Sequence, residues 1–227
     1  MSYRERPALG GRGLVWTKTT SAPGVGRVVP DGCTDIMWSR GTDSLFVAGP
    51  DTAAKVGESR PDTLFAVRFS PGVGPSALGV PAHVLRDLRV PLDELWPEDA
   101  PRLLEALNTA EDPCAVLEEA ARARLRDTPP DPAVDAVVAA VRDHSVTDVA
   151  DRLGIGARQL HRRSLAAFGY GPKVLARVLR FDRAVGLAWA GVPFADIAHR
   201  TGYADQAHLS REVKDLAGVP LGVLLKP

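Results

Sequence analysis

Hydrophobic residues are spaced in two different ways along this chain, and the change falls near residue 71. From about 13 to 70 they come in short runs, GLVWTKTT, GRVVPDGCTDIMW, LFVAGP and DTLFAVRF, separated by Gly, Pro, Asp and Ser. Runs of that length, rich in Val, Thr and aromatic residues and bounded by turn formers, predict short antiparallel strands of a sandwich or barrel. After Pro71 apolar residues recur every three or four positions, in PSALGVPAHVLRDL, APRLLEALNTA and PCAVLEEAARARLRD, which is the period of an amphipathic helix. The last of these runs into Thr128-Pro129-Pro130-Asp131-Pro132, where no helix continues, because each proline lacks a donor and restricts the residue before it. The domain boundary is expected there. The spacing beyond it predicts helices at 133–144, 146–153, 157–168, 172–190, 194–201 and 206–217, with a short terminal turn. The fold class is therefore α+β: a β-barrel or sandwich with flanking helices over 1–127, then an all-α domain over 133–227.

One arrangement occurs twice in the helical half. Val146 to Gly154 reads as a short helix ending in Gly, followed by a second helix from Gly156 to Arg163; Phe194 to Gly202 and Ala204 to Arg211 repeat the pattern. In each copy an Ala, Ala150 or Ala198, stands four residues before a Gly that can take positive φ in a tight turn. A small side chain there lets two helices cross closely, as in a helix-turn-helix. Leu160 and Leu209 can face inward while the polar residues around them face out, and long donors and acceptors on such a helix suit the edges of bases in a major groove. A merely solvated helix face would look similar in one copy. Between the copies a helix of about 18 residues, roughly 27 Å long, can hold two such helices near one DNA turn apart.

Composition changes this picture little, and charge changes it more. With 45% hydrophobic residues in 227 the chain is an ordinary globular protein with a formal net charge of zero. Residues 133–227 hold 13 Lys and Arg against 9 Asp and Glu, a balance of +4, so a basic module follows an acidic one. The chain shows no apolar run long enough for a bilayer, and MSYRERPALG lacks the apolar core of a signal peptide, so a cytoplasmic protein without membrane contact is expected. Cys33 and Cys114 lie far apart and offer neither a disulfide framework nor a zinc site.

Residues 133–227 resemble the DNA-binding domain of the AraC/XylS family of transcription regulators, most closely at GYADQAHLSREVK. Val213 stands where that family usually has Phe, Gly156 where an N-capping Ser is usual, and Pro220 falls one place early. The resemblance implies double-stranded DNA as partner, with base contacts from Arg158, His161 and Arg162 in the first copy and Gln206, His208, Ser210 and Arg211 in the second. Arg suits guanine O6 and N7, and Gln suits adenine N6 and N7. Lys173, Arg177 and Arg180 on the connecting helix are candidate phosphate contacts, although solvated helix charges are the simpler reading. A homodimer is admitted but not required.

In that family a β-rich, often cupin-like sensor precedes the DNA-binding half, and residues 1–96 resemble a compact form of it. Residues 1–82 contain no histidine, so the His-and-carboxylate set of a metal-dependent cupin is missing; no metal, cofactor or catalytic residue is expected. Alternation along a strand puts Cys33 and Asp35 on one face. Pro30-Asp31-Gly32 reads as a turn in which Asp31 bonds its own backbone. With Met37, Trp38, Phe46 and Phe65, beside Phe69, those two residues compose a candidate pocket for a small-molecule effector, but the same side chains equally make a core. A DNA-repair methyl-acceptor with the same helical half would need a cysteine cluster that is absent. The remaining alternative is a small-molecule-binding protein whose helical half serves oligomerisation.

Overall fold

The computed structural model describes residues 2–225. Eight strands come first: β1 (Ser2–Ala8), β2 (Gly13–Thr20), β3 (Gly24–Val28), β4 (Thr34–Ser39), β5 (Ser44–Ala48), β6 (Lys55–Ser59), β7 (Asp62–Phe69) and, after helix α1 (Gly74–Leu78), β8 (Arg89–Pro91). Six of them form one antiparallel sheet in the order β1-β2-β7-β4-β5-β8, and β3 pairs with β6 in a separate two-stranded ribbon. The sheet is open, with β1 and β8 at its edges.

Period-two alternation gives the sheet two chemically different faces. Val15, Ile36, Trp38, Val47, Phe65, Val67 and Phe69 turn to one side. There they pack on Leu103 and Leu107 of α2 (Ala100–Thr109) and on Leu117 and Ala121 of α3 (Pro113–Asp127). Trp38 stacks on Phe65 with ring centroids 5.5 Å apart. Tyr3, Trp16, Lys18, Asp35, Met37, Phe46, Leu64 and Arg68 turn to the other side, where with Val28 of β3 and Val29 they line a cavity.

The predicted helices of the second half are present, their ends shifted by at most one residue: α4 (Ala133–Asp143), α5 (Val146–Arg152), α6 (Ala157–Phe168), α7 (Pro172–Trp189), α8 (Phe194–Thr201), α9 (Gln206–Ala217) and the terminal α10 (Leu221–Leu224). Helix α7 serves two cores. Its first half buries Leu175, Val178 and Leu179 against α4, α5 and α6, and its second half buries Phe181, Ala184, Val185 and Ala188 against α8 and α9. One rigid helix thus fixes the position of both helix pairs.

The halves meet along a seam. Gly72, at φ +85, lies so close to α4 and α6 that a Cβ would stand 2.4 Å from Val134 Cγ1 and 2.7 Å from Phe168 Cε1. Arg86 Nη1 donates to the Gly169 carbonyl just past α6 at 3.3 Å. At the far end of α9 the Ala54 amide donates to the Leu216 carbonyl at 2.7 Å, and Arg27 Nη1 donates to the Ala217 carbonyl at 2.5 Å.

Candidate nucleic-acid interface and effector pocket

Each helix pair is built by the same local rules. Ser145 caps α5 through a capping box, its hydroxyl accepting the Asp148 amide while Asp148 accepts the Ser145 amide. Hydrogen bonds from Ser145 lower the Asp148 carboxyl below its usual range. Gly154 turns the chain at φ +63, and α6 begins at Ala157 after an N-cap, Gly156, that supplies no side-chain bond. In the second copy Gly202 turns the chain at φ +76, and Asp205 caps α9 by accepting the His208 amide at 2.6 Å. Ala150 and Ala198 are buried where the helices cross, and Leu160 and Leu209 anchor α6 and α9 from beneath.

That anchoring sets what faces out. Arg158, His161 and Arg162 are exposed on α6, as are Gln206, Ser210 and Arg211 on α9. His161 bends toward the start of α7, where a Cβ on Gly171 would stand 2.6 Å from its Cε1. Ser210 donates to the Gln206 carbonyl at 2.9 Å, so its hydroxyl proton is engaged within the helix. His208 is half-buried. Its ring packs edge-on against Tyr203 at 5.2 Å, and its Nδ1 accepts the Ala204 amide at 3.3 Å, which makes it a brace for the turn.

The candidate phosphate contacts divide. Lys173 is exposed at the start of α7. Arg177 and Arg180 turn instead to α9: Glu212 receives Arg177 Nε at 3.0 Å and Arg180 Nη2 at 3.2 Å, and Asp215 receives Arg177 Nη2 at 3.3 Å. Arg180 also lies 4.6 Å above the Tyr203 ring. These two arginines tie the connecting helix to α9, a role that spacing on α7 alone did not reveal because their partners lie on another helix.

The sheet face turned away from α2 and α3 holds a cavity of about 310 Å³. Of the residues expected there, Cys33, Asp35, Met37 and Phe46 line it. Trp38 and Phe65 do not: each adjoins or pairs with a residue of opposite orientation, Trp38 after Met37 and Phe65 before Ala66, and strand alternation sends both into the helix-packed core. Phe69 is in that core too. Tyr3, Trp16, Lys18, Asp31, Asp51, Arg68 and Arg89 join the lining without having been singled out as pocket residues. Arg68 was the signal available, a lone charge inside the apolar run LFAVRF.

Arg68 Nε binds Asp35 Oδ1 at 2.9 Å, and its Nη1 binds Asp31 Oδ2 at 3.1 Å. Trp16 Nε1 donates to the same Asp35 oxygen at 2.7 Å. Burial nevertheless raises the Asp35 carboxyl above its usual range, outweighing the Arg68 charge, and burial likewise pushes the Cys33 thiol up. Cys33 is therefore a poor nucleophile at neutral pH. Asp31 Oδ1 accepts the Cys33 amide at 2.8 Å, the turn expected at Pro30-Asp31-Gly32. Among the described residues no group of three or more His, Cys, Asp and Glu is arranged to hold a metal ion, and no helix is long and apolar enough to cross a membrane.

Comparison with known proteins adds two domain matches. A model described as a helix-turn-helix domain matches residues 149–226, and a domain of unknown function, DUF6597, matches residues 14–91. No curated relative matches the sequence. Among solved structures, an apo form of ToxT from Vibrio cholerae aligns over 97% of this chain and 98% of its own, at 12% identity and a TM-score of 0.50. ToxT bound to (E)-4-(8-methylnaphthalen-1-yl)but-3-enoic acid aligns over 99% and 98%, at 11% identity and a TM-score of 0.50. The C-terminal domain of AraT from Geobacillus stearothermophilus is 24% identical over 42% of this chain and 84% of its own, with a TM-score of 0.39. A helix-turn-helix domain model thus matches the second half of the chain, and nearly its whole length shares the two-part fold of ToxT, a β-rich domain followed by a helical one.

Proposed function

We propose that this protein is a sequence-specific, double-stranded DNA-binding transcription regulator, controlled by a small molecule held in the cavity on one face of its N-terminal sheet. One observation carries the reading. Two copies of the same helix pair hang on one rigid helix and present Arg158 and Arg162 from α6, and Gln206 and Arg211 from α9, outward over buried leucines. Arg and Gln are the side chains whose paired donors and acceptors match guanine and adenine edges. A helix of 18 residues spans about 27 Å, which suits two reading heads in successive grooves on one face of the duplex. Lys173 is assigned to the phosphate backbone, and His161, close to the start of α7, stands between base and backbone roles. His208 supports the turn.

The same reading divides the chain into a sensor over 1–127 and a reader over 133–227, places it in the cytoplasm, and assigns it no chemistry of its own, since the AraC/XylS proteins that its second half resembles are regulators. The effector assignment rests on the cavity lined by Cys33, Asp35, Met37 and Phe46, and on the analogy of a ligand-bound neighbour with the same two-part fold. The test is selection of bound sequences from random DNA by the full chain, with and without a metabolite library, followed by footprinting. Two protected blocks about 10 bp apart are expected. A protein that retains no DNA fragment would instead be a small-molecule-binding protein whose helices serve assembly.

A further inference from the structure

Arg68 stands at the polar end of the sheet-face cavity, where two carboxylates share its one guanidinium. They differ in what holds them. Asp35 belongs to β4, pairs in register with Arg68 of β7, and takes a second hydrogen bond from Trp16. Asp31 belongs to the loop 29–33, its side chain 25% exposed, and its other oxygen holds only the backbone amide of its own turn. Asp31 is therefore the partner that can be exchanged.

The helical half leans on that same loop. Val29 packs on the core of the second helix pair. A Cβ on Gly32 would stand 3.4 Å from Tyr170 Oη and 3.6 Å from Leu179 Cδ2, so the loop also touches the chain after α6 and the connecting helix. Arg27, at the loop's other end, caps the Ala217 carbonyl, and Ala54, just past the cavity residue Asp51, caps the Leu216 carbonyl. A helix end leaves its last carbonyls without intrahelical partners. Those of α9 are thus held from the two segments that wall the cavity.

Charge decides what can enter. Lys18, Arg68 and Arg89 face Asp31, Asp35 and Asp51 across the cavity, and Arg89 is closed off by a two-point pair with Asp51 at 2.6 and 3.1 Å. The set is balanced, so an incoming anion enters at no net charge only if one carboxylate leaves. Tyr3, Trp16, Met37 and Phe46 supply an apolar wall beside Arg68. The cavity, about 310 Å³, compares with about 150 Å³ for one that holds benzene, and takes a ring with substituents.

We infer that the cavity takes a small organic carboxylate with an aromatic or branched apolar body, which replaces Asp31 on Arg68 and, by freeing the loop 29–33, loosens the grip on the end of α9. This rests on the effector-pocket reading above. The exchange is neutral at Arg68: one carboxylate moves out to water as another arrives. A neutral ligand of the same body leaves Asp31 where it is, and the reading helix stays clamped.

The test uses the full chain, with benzoate, phenylacetate and 2-naphthoate as probes against their primary amides. Binding is followed by calorimetry, and exchange of the Ala54 amide by NMR. At least one acid is expected to bind and its amide not, and the bound acid is expected to speed Ala54 exchange roughly three- to tenfold, the loss of a modest hydrogen bond. Asp31→Asn, which keeps an oxygen for the Cys33 amide but not the charge, should give that faster exchange with no ligand present. Arg27→Ala should also speed it while leaving acid binding unchanged. Amides that bind as well as acids, or no acid binding at all, overturn the anion assignment. Wild-type exchange in Asp31→Asn or Arg27→Ala overturns the coupling. A gel shift on selected DNA, run on the same samples, separates these failures from failure of the DNA-binding reading: a wild-type shift with unmoved exchange leaves that reading intact and removes only the latch.

Discussion

Replacing Glu212 by Gln should destabilise the second helix pair without touching its reading edge. Glu212 is buried to 12% exposure between Arg177 and Arg180, which are 37% and 34% exposed. The amide keeps the shape but leaves two guanidiniums facing each other across a neutral group. Breaking a fully buried pair costs about 3–5 kcal/mol, and losing an exposed one about 0.2–1 kcal/mol. Solvent reaches a third of each arginine, and Arg177 keeps Asp215 at 3.3 Å, so the expected loss is about 1–2 kcal/mol. For a chain of this size that is a fall in Tm of about 2–8 °C, read by calorimetry or circular dichroism. Because α9 is then held less firmly on α7, affinity should fall by a similar factor on every operator variant at fixed salt. A double-mutant cycle with Arg180→Ala isolates the pair. An unchanged Tm with an affinity loss confined to single base positions would refute the reasoning and return Glu212 to the interface. The same geometry predicts that Arg177→Ala lowers stability and leaves the salt slope of DNA binding alone; a slope smaller by about one would show that Arg177 meets a phosphate after all.

Gln206→Ala should cost roughly 1–3 kcal/mol on the best operator and much less on operators altered at its base, whereas His208→Ala should weaken all operators alike, since its ring braces Tyr203; a panel of single-base variants separates the two. With a balance of only +4 over residues 133–227, the log–log salt slope should correspond to about five or six phosphates per monomer, measured by titration across ionic strength. Glu118 holds Arg6, Arg122 and the Leu9 amide. Burial raises its carboxyl, but hydrogen bonds from Arg6 and Leu9 and the arginine charges outweigh burial and hold it below its usual range. Its stabilisation is therefore complete above the unfolded value of about 4.3 and disappears as pH falls through the lower folded value, so urea unfolding of Glu118→Gln should lose part of the wild-type drop in stability between pH 5 and 3.

The helical half was legible because its signals are local. Turn glycines at 154 and 202, alanines four residues earlier and a 3.6-residue period each act within one helix pair, and the structure keeps the predicted helices to within one residue at their ends. What the sequence hid was mostly non-local. Arg177 and Arg180 look like solvated charges until Glu212, a turn further along another helix, is placed beside them. In the sheet, reading Met37 and Trp38 as neighbours in one pocket ignored the alternation that must separate them. Arg68 gained its meaning only when register set it against Asp35 and a loop brought Asp31 across. The cavity itself had no local signature, since β3 and β6 leave the main sheet to form their own ribbon and Val28 of β3 returns to the lining.

The strand order carries a consequence for synthesis. β7 lies between β2 and β4, so Trp16 waits for Ala66 and Met37 for the same residue before the sheet has a centre. A nascent chain emerges N-terminus first, and until residue 69 has left the ribosome the β1–β2 and β4–β5 hairpins each carry an unpaired apolar edge. Exposed edges of that kind pair readily with other chains. Helix pairs need only neighbours close in sequence, and contacts of that kind form fast. The β-rich half, though made first, is thus the part whose assembly is delayed longest relative to its own synthesis, and a chain stalled before β7 is the species most in need of a chaperone.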